Sequence, residues 1–152
     1  EVSYTNNDDI RILNAILSSW FSDPKILHFT APNHQYPFKI SKWISLSYTD
    51  QNIITFCLKL DNWIIGHISM KLNAEEKSAH LFHLIIDEKY RNKGYAKRLV
   101  RHVEKELIDK EIFNRLSLNC VKKNRSALAL YQSLGFSIVK EKKHIKMVKD
   151  LK

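Results

Sequence analysis

Two hydrophobic periods alternate along the chain, and each change of period marks a new element. Near the start, Ile10, Leu13, Leu17, Trp20 and Phe21 recur at three- and four-residue steps. That spacing predicts an amphipathic helix running to about Phe21, with Asn7 or Asp8 at its N-cap. Val2 to Thr5, ahead of it, reads as a short edge strand. Residues 25–37 read as a loop, because Pro24, Pro32 and Pro37 break the segment. Phe38 to Leu46 follows as a second short helix, anchored by Phe38, Ile40 and Trp43.

From Ile53 the sequence becomes β-branched and apolar. Ile53–Leu60 and Trp63–Leu72 are predicted to form a hairpin about Asp61-Asn62, with Gly66 suited to a bulge. A turn at 73–77 leads into a third strand of this run, ending at Ile86. A polar loop, 87–93, then enters a helix at Gly94 whose apolar stripe is Ala96, Leu99, Val100, Val103 and Leu107. Arg115–Val121 is a strand, Asn124 caps a helix to Leu134, and Gly135 suits its C′ position. Ser137–Lys140 and His144–Val148 close the chain as a hairpin. The predicted order is β-α-α-β-β-β-α-β-α-β-β, an α/β mixed sheet with helices on both faces.

Composition narrows the picture. A chain of 152 residues, 44% hydrophobic, supports one domain with a core, here residues 1–152. No run approaches the ~20 apolar residues of a membrane span, and no leader-type pattern opens the sequence. Cys57 and Cys120 lie in apolar runs and read as free thiols of a reducing, cytoplasmic protein, with no disulfide or metal pattern. The net charge of +9 points to a phosphate-bearing partner, either nucleic acid or a nucleotide coenzyme. Its basic residues are dispersed among acidic ones and carry no nucleic-acid recognition motif, a phosphate-bearing coenzyme fits equally well, and charge alone does not choose.

Candidate chemistry concentrates in residues 79–96, AHLFHLIIDEKYRNKGYA. A strand, a short loop and a helix N-terminus together make an anion cradle. Gly94 allows close backbone approach, small Ala96 leaves room, and Arg91, Lys93 and Lys97 add charge. A Walker loop is absent.

The segment Arg91-Asn92-Lys93-Gly94-Tyr95-Ala96 resembles the Q/R-x-x-G-x-G/A acetyl-CoA signature of the GNAT family of N-acetyltransferases. About 30 residues on, the block from Asn124 through Tyr131 to Gly135-Phe136 resembles that family's N-x-x-A-x-x-x-Y-x-x-x-G-F element. The likeness is strongest from Ala79 to Phe136. It implies the GNAT fold, whose fourth and fifth strands part around the pantetheine arm of acetyl-CoA. By that resemblance, backbone groups of Leu84, Ile85 and Ile86 pair with the pantetheine. The N–H groups of Asn92, Lys93, Gly94, Tyr95, Ala96 and Lys97 hold the pyrophosphate. Asn124 belongs to the same coenzyme site, and Lys97, Arg98, Lys122 or Arg125 reaches the adenosine phosphate.

The implied reaction is direct attack by a primary amine on the thioester in a ternary complex, with no metal. Tyr131 matches the tyrosine that protonates the departing thiolate. The base is implied to be His80, eleven residues before Arg91, where family members carry a glutamate or a histidine. His83 is the second choice, since strand alternation turns it to the other face unless a bulge intervenes. Asn119 stands where ribosomal-protein N-terminal acetyltransferases carry a glutamate, and it cannot act as a base. Trp20, Phe29, Phe38 and Trp43 are candidates for a partly apolar acceptor pocket, taking a small amine or a peptide N-terminus. The basic surface argues mildly against polyamines. His28, His34, His67, His102 and His144 lack clustering and read as surface or pocket residues. Cys57 and Cys120 lie away from both motifs, which disfavours an acetyl-cysteine intermediate. Two other readings are a coenzyme-A-binding regulatory module without turnover and a basic nucleic-acid-binding domain. Monomer and homodimer both fit.

Overall fold

The computed structural model describes residues 1–151. Helix α1 (Asn7–Trp20) begins where the Asn6 side chain accepts a hydrogen bond from the Asp9 N–H at 3.0 Å, one residue before the expected cap. It buries Leu13 and Leu17 on the predicted stripe. The segment read as a loop contains a second helix, α2 (Pro24–Thr30). Pro24 begins this helix: it occupies the first turn, where its missing N–H costs nothing, and Asp23 caps the Lys25 N–H. Helix α3 (Ile40–Ser47) carries Trp43. The expected opening strand is reduced to a single bridge between Val2 and Thr55.

Six strands form one mixed sheet: β1 (Ile53–Leu60), β2 (Trp63–Asn73), β3 (Ser78–Ile86), β4 (Arg115–Val121), β5 (Ser137–Glu141) and β6 (His144–Asp150). Their spatial order is β1-β2-β3-β4-β6-β5, and only β3 and β4 run parallel. Helices α4 (Tyr95–Asp109) and α5 (Arg125–Ser133) complete the chain. One core joins α4 to the sheet through Leu99, Val103, Leu107, Met70, Leu116 and Met147. The other lies under α1–α3 and holds Leu13, Leu17, Phe21, Leu27, Trp43 and Tyr48.

Two irregularities of β3 shape the space between these layers. The β3–β4 pairing runs only from Ser78 opposite Arg115 to Leu81 opposite Leu118. Beyond it the strands part, and one edge of Phe82–Ile86 is left without a neighbour. The second irregularity is a bulge against β2. Register passes from Ser69 opposite Phe82 to His67 opposite Ile85, so His83 and Leu84 share one partner position and His83 adopts φ 53°. Strict alternation would send His83 to the α4 side with Leu81. The bulge turns it instead to the α1–α3 side, where its ring stacks on Trp43 with centroids 4.0 Å apart.

Gly66 lies where α4 packs against the sheet. A Cβ there would come within 2.8 Å of Ile86 Cδ1 and 3.0 Å of Leu99 Cδ1. The bulge in the β1–β2 hairpin falls beside it, at Ile65, where the register shifts between Leu58–Gly66 and Lys59–Ile64. Gly66→Ala should cost about 1–3 kcal/mol by overpacking. A thermal midpoint unchanged from the parent would show that the neighbours yield freely.

Candidate active site

A cleft of about 1220 Å³ opens where β3 and β4 diverge and extends from the loop before α4 to the loop after α2. Its walls combine both sequence motifs. Leu84, Ile85, Ile86, Arg91, Asn92, Gly94, Tyr95, Ala96, Lys97, Asn124 and Tyr131 all line it, whereas Lys93 does not. Lys93 instead lies with Nζ 5.7 Å from the Tyr90 ring centroid.

At one end, Asn92 (φ 62°) and Gly94 (φ 83°) turn the chain into α4. Among the described residues, the backbone N–H groups from Asn92 to Lys97 find no acceptor, and the first interaction is Arg98 N–H to the Gly94 carbonyl. Six successive donors beside a helix N-terminus fit a diphosphate. Nothing lies within 4 Å of the point where a Gly94 Cβ would sit, so the loop leaves that space to a ligand. Arg91 Nε donates to the Ile86 carbonyl at 3.2 Å and ties the loop to the end of β3. These features suit a coenzyme with a pyrophosphate at the loop and an extended arm along the open edge of β3.

In the middle of the cleft stand Tyr131, from α5, and Cys120, from β4. Asn124 caps α5 by accepting from the Ala127 N–H at 3.3 Å, which fixes the helix that carries Tyr131. Burial, and the neighbouring Cys120 thiol, push the Tyr131 phenol well above its usual range, so it stays protonated at neutral pH. Cys120, expected away from both motifs, lines the cleft, with Sγ 3.9 Å from the Asn124 carbonyl oxygen. Its thiol is pushed up to about 11 by burial, so little thiolate is available for covalent chemistry.

The far end is walled by α2 and the loop after it. Of the four aromatic residues expected at an acceptor pocket, only Phe29 lines the cleft. Trp43 is fully buried, and Phe38 and Trp20 pack against the same core. Trp20 ends α1, and Phe38, which precedes α3, packs its ring on Phe21 and Trp43. His80, His83 and His34 line the cleft together, His34 as the pocket residue expected, with its ring centroid 5.6 Å from that of His83. His80 Nδ1 is 2.9 Å from Ser117 Oγ, and burial, with Lys146 and Lys71 nearby, lowers its proton affinity. Asn119 also lines this wall.

Behind His83 lies a buried polar network with no signal in the sequence. His67 Nδ1 is 2.7 Å from the His83 carbonyl oxygen, which can only accept, so Nδ1 carries the proton. Its Nε2 therefore accepts from the Tyr4 hydroxyl at 2.8 Å, and that oxygen accepts from the Trp43 indole N–H at 2.9 Å. Tyr48 Oη lies 2.7 Å from His83 Nδ1 and 2.8 Å from Ser69 Oγ. The expected surface or pocket residue His67 is fully buried, and burial pushes it down to about 4. The unfolded chain thus binds a proton near pH 6.5 that the folded chain refuses until about 4. Stability falls as pH drops through that window, by roughly 3 kcal/mol in all. The thermal midpoint should decline between pH 7 and pH 5, and His67→Gln should flatten that decline.

A sheet opened between two parallel neighbours, with free amides at the mouth of the opening, is the architecture of acyl-coenzyme-A transferases. Comparison with known proteins agrees. Residues 14–136 match the Acetyltransferase (GNAT) family, and the chain belongs to that family. Among solved structures, it is similar to the PaiA N-acetyltransferase of Thermoplasma acidophilum in complex with coenzyme A. The TM-score is 0.72 at 21% identity, covering 93% of this chain and 94% of that one. It is also similar to the spermidine N-acetyltransferase of Vibrio cholerae in complex with CoA and spermine, with TM-score 0.74, 15% identity and coverage of 96% and 92%. At these identities the likeness is one of fold. A 61-residue stretch is 43% identical to human N-acetyltransferase 8, covering 40% of this chain but only 26% of that protein. The two expected parting strands, fourth and fifth in the family, are β3 and β4 here, because the first survives only as the Val2 bridge.

Proposed function

We propose that this protein moves the acetyl group of acetyl-CoA to a primary amine of a small molecule or peptide, by direct attack in a ternary complex. The observation that carries the reading is the run of free amides from Asn92 to Lys97 at the mouth of the β3–β4 gap. In this reading the loop holds the pyrophosphate, with Asn124 fixing the helix beside it. The unpaired edge at Leu84–Ile86 pairs with the pantetheine. Lys97, at the cleft wall, supplies charge for the phosphates. Both cysteines are free thiols, which fits a cytoplasmic protein.

The attacking nitrogen must be uncharged and the leaving sulfur must gain a proton. Tyr131 is positioned to protonate the sulfur, since it lines the cleft and keeps its proton through the neutral range. A histidine of β3 serves the nitrogen, and the bulge brings His83 to the cleft beside His80. General acid and base groups of this kind each contribute roughly 10²–10⁴-fold. A backbone N–H near Ile85, on the unpaired edge, serves the oxyanion.

The deciding experiment follows thiol release from acetyl-CoA against a panel of small amines and short peptides, beside calorimetric titration with coenzyme A. Release with at least one amine is expected. Tight coenzyme binding with no release from any amine would leave a binding module, and no coenzyme binding would remove the reading altogether.

A further inference from the structure

We infer that His83, held at the β3 bulge, takes the proton of the acceptor amine, and that the cleft admits this amine uncharged, favouring weakly basic amines over alkylammonium ions. The inference rests on the acetyltransferase reading and goes beyond it, to the base and the class of acceptor.

Position comes first. His80 lies within the stretch of β3 still paired to β4, opposite Ser117, whereas His83 lies past Leu81, where the strands have separated. Its neighbour Leu84 belongs to the open edge. The His83 ring is fixed on three sides. Trp43 stacks on it at 22° with centroids 4.0 Å apart, Tyr48 Oη holds Nδ1, and His67 clamps its peptide carbonyl. We assign Nδ1–H as the donor to Tyr48 Oη, the tautomer that leaves the lone pair on Nε2. Among the described residues Nε2 has no partner, it is not one of the sealed polar atoms, and the residue lines the cleft. A ring oriented by one nitrogen and free at the other is arranged for proton transfer. The Trp43 face also favours an imidazolium once formed. Charging is opposed at His80 by burial, Lys146 and Lys71, and at His83 by burial, His67 and His34, so geometry separates the two.

Charge at this end selects the acceptor. The Asp23 carboxylate accepts from the Lys25 N–H, and Asp50 accepts from the Asn52 N–H and pairs with Lys71 Nζ at 3.2 Å. Asp50 is thus paired, Asp23 is exposed at the start of α2 and forms no ion pair among the described residues, and Glu88 belongs to the coenzyme end. The groups facing His83 are His67 from β2, His34 from the loop after α2, and Tyr48 at the end of α3. Burial disfavours charge on His34, His80 and His83 alike. The side chains packed on His83, those of His34, Trp43, Tyr48 and Phe82, include no carboxylate, and this desolvated wall resists a cation. An α-amino group, with pKa ~8, is substantially neutral near physiological pH, whereas an alkylamine at ~10 is not.

The step balances without any outside reagent. The neutral nitrogen forms a bond to the acetyl carbon while the carbonyl π pair moves to oxygen. That nitrogen, now positive and strongly acidic, gives one proton to His83 Nε2. The carbonyl re-forms, the C–S bond breaks with its pair on sulfur, and sulfur takes the Tyr131 proton. The His83 proton returns to Tyr131 through solvent, so amine and thioester become amide and thiol.

The test measures thiol release at saturating acetyl-CoA for the parent, His83→Gln, His83→Ala and His80→Gln, with coenzyme A affinity measured separately. His83→Gln should lower kcat about 100-fold, more than His80→Gln does, with coenzyme affinity retained. Added imidazole should restore His83→Ala at least ~10-fold, a rescue that a packing role would not produce. Full activity in His83→Gln, or a larger loss in His80→Gln, would overturn the assignment. Should the His83 variants fail to fold, the parent decides alone. At pH 7.5 its kcat/KM should favour a dipeptide α-amine over an alkylamine of similar size by at least ~30-fold, tracking the neutral fraction, and the reverse order would overturn the inference. Absence of parent turnover with every amine marks a different failure, that of the acetyltransferase reading itself.

Discussion

Gly94→Glu is expected to abolish coenzyme A binding in a protein that still folds. The residue holds φ 83°, where a side chain costs about 1–2 kcal/mol, so the thermal midpoint should fall by a few degrees. No protein atom lies within 4 Å of the new Cβ, so the glutamate meets only what enters the cleft. It brings a negative charge to amides that would otherwise hold a diphosphate. Affinity should fall at least ~100-fold, equivalent to about 2.8 kcal/mol. Gly94→Ala is the control, since it carries the same strain without charge and should bind better than the glutamate variant. Calorimetric titration with coenzyme A reads both. Equal affinity in the parent and a folded glutamate variant would show that the diphosphate lies elsewhere.

Tyr131→Phe separates chemistry from binding. The ring packs 5.9 Å from Phe136, and phenylalanine preserves that contact. Only the hydroxyl is lost, and with it the proton for the leaving sulfur. We expect kcat to fall about 10²-fold or more with coenzyme affinity nearly unchanged. Because the phenol's proton affinity is raised, the parent should show no loss of its acid at neutral pH, and any alkaline decline should lie above the ordinary tyrosine range. Parent-like turnover in Tyr131→Phe would return the residue to the core.

Local pattern disclosed most of the fold. The Leu99–Leu107 stripe, the Asn124 cap and the closing hairpin depend on neighbours within a few residues, and they occur where the sequence places them. The differences have local causes too. Pro24 reads as a breaker, yet it occupies the one helical position that tolerates proline. Trp43 and Phe38 suit a ligand by residue type, but they pack on each other and on Phe21 in the core under α1–α3. Cys120 is expected away from the motifs, but it lies near the end of β4, four residues before Asn124, and its thiol reaches the α5 cap.

The sequence by itself determined most of the elements, the polar loop entering α4 and the family, because periodicity, caps and a spaced motif are written in consecutive residues. Tertiary structure alone decided where β3 leaves β4, that a bulge rotates His83 onto the same face as His80, and that Tyr48 and His67 grip it from behind. Those outcomes depend on register between strands and on contacts across tens of residues. One extra residue in a ladder reverses which side every later side chain faces, and no local window records that choice.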